Sequence, residues 1–360
     1  MPTRRRIAWI ILLVLAATVK IVSLFPTVVE KYYALGVYPN ISRFQRLLFG
    51  WIPFSIGDLL YIIVSGWLIY LVVRLIRRLI RRQADKAWLL GALRRAVFVI
   101  LCVYVGFYGL WGLNYDRQGI ATQLHLVVTP YSNLELDHLL GVVCDRLNEL
   151  DSLGGLDTLR LDSHPVVFAG AILSYDNLAR RDPRFAYTDP SVKRSLFGVL
   201  NDYLGFGGYY NPFTGEAQVN TTLPVLEQPF TTCHEIGHQL GYAKENEANL
   251  AGYLSARASN DPAFQFSVYS DLYLYAAREL YVRDSNLVVP LRDHLRPFVR
   301  RHFRELQRFY RRYQNPFEPV VRRIYGNYLR ANRQPQGMNT YDEVVASVIA
   351  YARKNGWETI

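Results

Sequence analysis

Three long apolar runs near the start of the chain constrain its fold more than any other feature. Ile7 to Phe25 is almost unbroken, Trp51 to Val73 is a second run, and Ala96 to Leu113 is a third. A helix needs about 20 apolar residues to cross the hydrocarbon core of a bilayer. The sequence therefore predicts an α-helical membrane anchor in residues 1–115, with three transmembrane helices near 7–25, 51–73 and 96–113. Lys20 lies close enough to the end of the first run to snorkel to the interface. That run is long for a signal peptide and lacks an Ala-x-Ala site before a polar stretch, so it is read as retained.

Charge sets the expected orientation. Arg4, Arg5 and Arg6 precede the first run. Arg74, Arg77, Arg78, Arg81, Arg82, Lys86, Arg94 and Arg95 separate the second from the third, against Lys31, Arg43 and Arg46 between the first two. Basic loops stay on the cytoplasmic side, so the N-terminus is expected to be cytoplasmic and residues 116–360 extracytoplasmic. Residues 1–115 carry 15 of the 41 Lys and Arg but 3 of the 30 Asp and Glu. The net charge of +11 thus belongs to the anchor, and the remainder is nearly neutral. This is a topology signal, and it argues against nucleic acid as a partner.

The chemistry is concentrated in His234-Glu235-Ile236-Gly237-His238. Two histidines at i and i+4 project from one helical face, at the spacing that lets both imidazoles bind one Zn2+. The glutamate between them can take a proton from a metal-bound water. Pro229 suits the first turn of the helix. Gly241 reads as its C-cap, because glycine adopts the left-handed conformation without a Cβ clash. A third protein ligand is then needed, and a carboxylate of the next helix, beginning near Lys244-Glu245-Asn246-Glu247, can supply it.

Glu245-Asn246-Glu247-Ala248-Asn249 resembles the Glu-x-x-x-Asp element of the gluzincin metallopeptidases. The resemblance implies Glu245 as third ligand and Asn249 as the residue that orients a ligand histidine. Asn249 stands where the family has Asp and brings no charge, which weakens that effect. Glu247 remains the alternative ligand. Lys244 stands where a metzincin would have its third histidine. The whole chain resembles the bacterial domain-of-unknown-function family 3810. That likeness rests on Tyr38–Arg43 with Pro53–Asp58, on Tyr210–Asn220, and on His234–Leu254. It implies a protein of the bacterial inner (cytoplasmic) membrane with a zinc-peptidase-like domain.

Residues 116–360 are long enough for their own core. They are expected to form a mainly α, α+β zincin-like domain with a small sheet beside the active helix. A helix is expected from Ser132 or Asn133 to about Leu150, with Leu136, Leu139, Leu140, Val143 and Leu147 at helical spacing. Val166–Ala169 reads as a strand, and Asp189–Leu204 is ambiguous. Gly205–Tyr210 and Glu216–Thr222 read as two strands around an Asn-Pro-Phe-Thr-Gly turn. Gln218–Thr222 is the candidate edge strand for an extended substrate. Helices are expected after Asp261-Pro262 and over Tyr341–Asn355. Among Tyr269, Tyr273 and Tyr275, core packing is expected, with one able to donate to a tetrahedral intermediate. Arg292–Arg323 reads as a solvated helical face, with anionic lipid as the alternative contact. Cys144 and Cys233 read as buried free thiols, with an alternative pairing between them. His125, His138, His164, His294 and His302 lack metal-like spacing.

Together these features predict a membrane-anchored zinc metallohydrolase, most simply a peptidase. In it Zn2+ sits on His234, His238 and Glu245, Glu235 is the general base, and the substrate is a peptide or protein of the cell envelope. The alternative is a catalytically inactive zincin-like binding or scaffold protein. A transporter is disfavoured, since the three runs hold few charges to line a path.

Overall fold

The two longest apolar helices of this chain start at capping residues, Ser55 and Asp85, rather than at the first apolar side chain. The computed structural model describes residues 3–152, 161–337 and 343–360, and within them it is mostly helical with one small mixed sheet. Helix α1 spans Thr3–Val22. The chain then turns by 100° into α2, Pro26–Phe49, whose stretch Val29–Val37 is π-helical. Helices α3 (Ile56–Ile80) and α4 (Lys86–Leu110) follow. The Ser55 hydroxyl accepts the Asp58 N–H at 2.9 Å and the Asp85 carboxylate accepts the Trp88 N–H at 2.7 Å. These caps move the helices away from the expected limits of 51–73 and 96–113.

Both α3 and α4 are long and apolar enough to cross a membrane, and nothing in their most apolar stretches is buried within the protein. The expected first span differs. Arg4–Arg6 fall inside α1 and shorten its apolar part, so a third crossing arises when α1 and α2 are taken as one bent span. The segment expected as a loop between the first two spans is α2. One of its faces, with Tyr38, Ser42, Gln45 and Arg46, is buried in the body of the protein.

The main core is built from α5 (Asn133–Ser152), α6 (His164–Ala179) and the helices of the second half. Leu139, Leu140, Val143 and Leu147 of α5 are fully buried in it, as the spacing predicted. The expected strand at Val166–Ala169 is instead the first turn of α6. Pro165 suits that turn, and Val167, Ala171, Tyr175 and Leu178 continue a buried stripe at helical spacing that outweighs the β-branched pair.

The ambiguous segment resolves into β1 (Val192–Arg194) and the short helix α7 (Gly198–Leu204). Strands β2 (Gly208–Asn211) and β3 (Glu216–Val219) form the expected hairpin, with Tyr210 opposite Ala217. The sheet order is β1-β3-β2, β1 being parallel and β2 antiparallel to β3. The middle position of β3 rules out Gln218–Thr222 as an edge strand, and the strand ends at Val219. An edge on the far side from β3 belongs to β2.

Helices α8 (Gln228–Gln239), α9 (Glu245–Arg257) and α10 (Pro262–Arg283) then pack against each other. After them come α11 (Ser285–His294), α12 (Pro297–Tyr313), α13 (Glu318–Ala331) and α14 (Glu343–Asn355). Tyr341, the expected start of the last helix, lies outside the described residues.

Many contacts join the two sides of residue 115. Arg117 pairs with Glu30 of α2 at 2.8 Å, both buried. At the start of α3 the buried Glu216 carboxylate of β3 accepts the N–H groups of Ile56 (3.1 Å) and Gly57 (2.6 Å) and the Thr214 hydroxyl (3.0 Å). Asp58 accepts the Tyr209 hydroxyl at 2.6 Å and the Leu196 N–H at 2.7 Å. Sheet and membrane-type helix are thus held end to end through two buried carboxylates.

Candidate metal centre

Helix α8 presents His234, Glu235 and His238 because Pro229 opens it and Gly241 closes it. Gly241 has φ +89, and the Tyr242 N–H returns to the Gly237 carbonyl at 3.2 Å, a helix-ending turn that suits glycine. Gly237 and Gly252 let α9 lie close. A Cβ at Gly252 would stand 3.0 Å from the His234 backbone nitrogen, and one at Gly237 would stand 3.3 Å from the Ala248 carbonyl oxygen. That approach brings Glu245, the first residue of α9, over the two histidines.

The Glu245 Oε2 atom lies 3.3 Å from His234 Nε2 and 3.5 Å from His238 Nε2. The three ligand atoms all fall within 4.8 Å of one another. Those separations are long for charge-assisted hydrogen bonds. They match the edge of a tetrahedron about a zinc with bonds of about 2.05 Å, roughly 3.3 Å. The donor set therefore fits a tetrahedral zinc site with one position left over. Glu247, the alternative ligand, points elsewhere. It pairs with Lys244 at 3.0 Å, packs against Gly119, and does not line the cavity that holds the other three.

The His238 Nδ1 atom is 2.8 Å from the Tyr242 carbonyl, a contact that places a proton on Nδ1 and would leave Nε2 as the atom to bind a metal. The orienting role expected of Asn249 is thus filled for His238 by a backbone carbonyl. His234 Nδ1 has no hydrogen-bond partner among the described residues. Asn249 is buried and lines the same cavity.

Electrostatics at the cluster divide the two carboxylates. Burial pushes Glu235 up to about 7, although both histidines oppose the shift. Burial would also raise Glu245, but the adjoining His234 and His238 imidazoles prevail and hold it well below the usual carboxylate range. Burial disfavours a charged His238, yet the hydrogen bond and charge of Glu245 raise it to about 9. Glu235 Oε2 is buried with no partner among the described residues. Strand β2 passes directly over this residue: a Cβ at Gly208 would stand 2.6 Å from Glu235 Oε1.

The cluster lies in an open cavity of about 710 Å³. Its wall includes Tyr61 of α3, Phe107 of α4, Trp111, and Tyr325 and Tyr328 of α13. The Tyr325 hydroxyl donates to Glu245 Oε1 at 2.8 Å, and Trp111 Nε1 donates to the His238 carbonyl at 3.2 Å. Sequence reasoning missed both residues, since neither sits at a recognisable spacing from the motif. Tyr275 also lines the cavity. Tyr269 binds the Ile360 carbonyl and Tyr273 stacks on Phe303, as expected of core residues. Glu227 and Asp271 line the cavity as well, and burial with the nearby Glu227 keeps the Asp271 carboxyl well above its ordinary range.

Cys144 and Cys233 are buried free thiols, each pushed up to about 12 by burial. Of the remaining histidines, His302 is buried beside Glu227 at 3.3 Å, His294 contacts Asp145 at 2.8 Å, and His138 packs on Trp357.

No curated protein and no solved structure matches the chain. A family described as a protein of unknown function, DUF3810, matches residues 33–349. That span takes in most of α2, all of α3 and α4, the sheet and the whole His-Glu cluster, and the chain belongs to the DUF3810 family.

Proposed function

We propose that this chain is a membrane-anchored, zinc-dependent hydrolase that cleaves peptide bonds at the outer face of the bacterial cytoplasmic membrane. In this reading α3 and α4, with α1, anchor an extracytoplasmic zincin-like domain, and the N-terminus of the chain is cytoplasmic, in line with the basic residues flanking the apolar runs. The observation that carries the proposal is the His234-His238-Glu245 triangle at zinc-like spacing with the unpartnered Glu235 Oε2 beside it. A zinc ion held there would lower the pKa of a bound water and polarise a scissile carbonyl.

The chain's own residues do the rest. Glu235, buried beside the cluster with Oε2 unpartnered among the described residues, accepts the proton of the attacking water and delivers it to the leaving amine. Tyr325 and the Tyr242 carbonyl hold Glu245 and His238 in place. The edge of β2 along the cavity suits an extended substrate that adds by main-chain hydrogen bonds.

The test is metal content of the full-length protein beside His238→Ala, Glu245→Ala and Glu247→Ala, followed by cleavage of a peptide library. Near-stoichiometric zinc, lost in the first two variants and kept in the third, supports the site. A folded wild type that takes up no added zinc refutes it. Zinc without cleavage of any peptide would favour a binding or scaffold protein. That reading draws on Asn249, which replaces the charged Asp of the gluzincin pattern.

A further inference from the structure

Three helices, two of which line the cavity, each bury one face in the body of the protein and expose an apolar face. Each is also pinned to the end of a membrane-type helix. Helix α2 leaves α1 at 100°, as a helix does when it turns from crossing a bilayer to lying in its plane. Its buried face is tied to the metal-site helix, with the Tyr38 and Ser42 hydroxyls donating to the Gln239 carbonyl at 2.8 and 2.9 Å. On the exposed side are Tyr32, Leu35, Phe44, Leu47 and, just beyond the helix, Trp51, which is 78% exposed.

Helix α7 begins two residues after Leu196, whose N–H binds Asp58 in the first turn of α3. Leu196, Val199, Leu200 and Tyr203 are exposed there. Helix α13 is pinned at its far end: the Tyr108 hydroxyl of α4 donates to Asn332 at 3.2 Å, and Arg333 reaches the Ser23 carbonyl just after α1. Its exposed stripe is Phe317, Val320 and Ile324, which are 73%, 53% and 65% exposed. Arg323 and Arg330 flank that stripe and are exposed too.

Isolated apolar residues on a surface need no explanation, but a set of this size marks a partner. The partner here is named by continuity. The face of α2 and the start of α7 adjoin the ends of α1 and α3, where a bilayer surface would lie, and the stripe of α13 continues from α7, the Asn315 side chain donating to the Tyr203 carbonyl at 2.8 Å. An amphipathic helix with arginines beside its apolar face sinks about 5–10 Å into the boundary of headgroups and acyl chains, and tryptophan collects there.

We propose that α2, α7 and α13 form an apolar belt seated in the outer leaflet, so that the cavity opens at the level of the lipid headgroups. The cavity itself reaches that level. Tyr61, five residues into α3 and hence about 7.5 Å along its axis, is part of its wall. The proposal rests on the anchor half of the proposed function and is independent of zinc and of hydrolysis.

The experiment uses the full chain in phosphatidylcholine–phosphatidylglycerol vesicles, in a Cys102→Ser background that leaves buried thiols alone. A fluorophore is placed at Phe44→Cys, Leu200→Cys or Ile324→Cys, with Ile69→Cys in mid-α3 as the lipid reference and Glu149→Cys on α5 as the water reference. The expected result is several-fold stronger quenching by a lipid-borne nitroxide at the three belt positions than at residue 149, and weaker quenching by aqueous iodide. Belt labels that follow residue 149 while residue 69 reports lipid overturn the belt and leave the anchor standing. A water signal at residue 69 overturns both. Belt labels shielded from lipid and iodide alike, with cross-linking between copies, overturn the proposal in favour of self-association.

Discussion

Two clusters of buried carboxylates lie within one small part of this molecule, and they are built on opposite principles. At the start of α3, Glu216 and Asp58 are fully buried, and every carboxylate oxygen receives a donor, most at 2.6–3.1 Å. At the start of α9 and within α8, Glu245 and Glu235 are almost as buried. Yet Glu245 Oε2 sits 3.3 and 3.5 Å from two imidazoles, and Glu235 Oε2 receives nothing from the described residues. Leaving a buried polar group unsatisfied costs about 1–3 kcal/mol. A saturated cluster repays its desolvation internally and serves the fold. An unsaturated one has room for a ligand, which in the proposed function is a metal and its water.

The comparison can be broken at several points. The largest effect is expected from Glu235→Gln. If the unsaturated cluster is catalytic, cleavage should fall by about 10²–10⁴-fold while zinc content is unchanged. Full activity in a preparation free of wild type would sink the assignment. Next comes Glu216→Ala, which strands the first amide groups of α3. It should cost about 3 kcal/mol of stability in denaturant unfolding, with the folded fraction still binding one zinc. Loss of metal without loss of stability would erase the distinction between the clusters.

Tyr325→Phe removes one hydrogen bond from Glu245. Zinc affinity, followed by competition with a chelator, should weaken by about 10–100-fold, and an unchanged affinity would show that Glu245 needs no clamp. The smallest effect is expected from Glu247→Gln, which touches Lys244 and not the cavity. Stability should change by less than about 1 kcal/mol, and any large drop in zinc content would reopen the choice of third ligand.

The residue contacts that make the site divide cleanly by distance along the chain. His234, Glu235 and His238 were legible because one helix puts them together locally and Gly241 marks where it stops, whereas Glu245, on the next helix, was legible through its likeness to the gluzincin pattern, with Glu247 left as the alternative. Tyr325, Trp111 and Tyr38 were not, since their positions depend on packing between helices far apart in sequence. Val166–Ala169 misled because four residues cannot distinguish a strand from the opening turn of a buried helix. Of Gln218–Thr222 only Gln218 and Val219 belong to the hairpin strand, and a hairpin does not reveal that a third strand, β1, closes the other side. The apolar runs announced membrane-type helices, while their limits were set by Ser55 and Asp85, single capping residues outside the apolar pattern.

The hydrogen bond from Tyr325 to Glu245 also bears on the order of events as the chain is made. It joins residues 80 apart, the contact of Tyr38 with Gln239 joins residues 201 apart, and Arg333 closes on Ser23 across 310. Such non-local closures come late in folding, and synthesis proceeds from the N-terminus. When His234, His238 and Glu245 have all emerged, the helix that clamps the third of them is still unmade. The cluster therefore gains its last polar neighbour only when nearly the whole chain is in place.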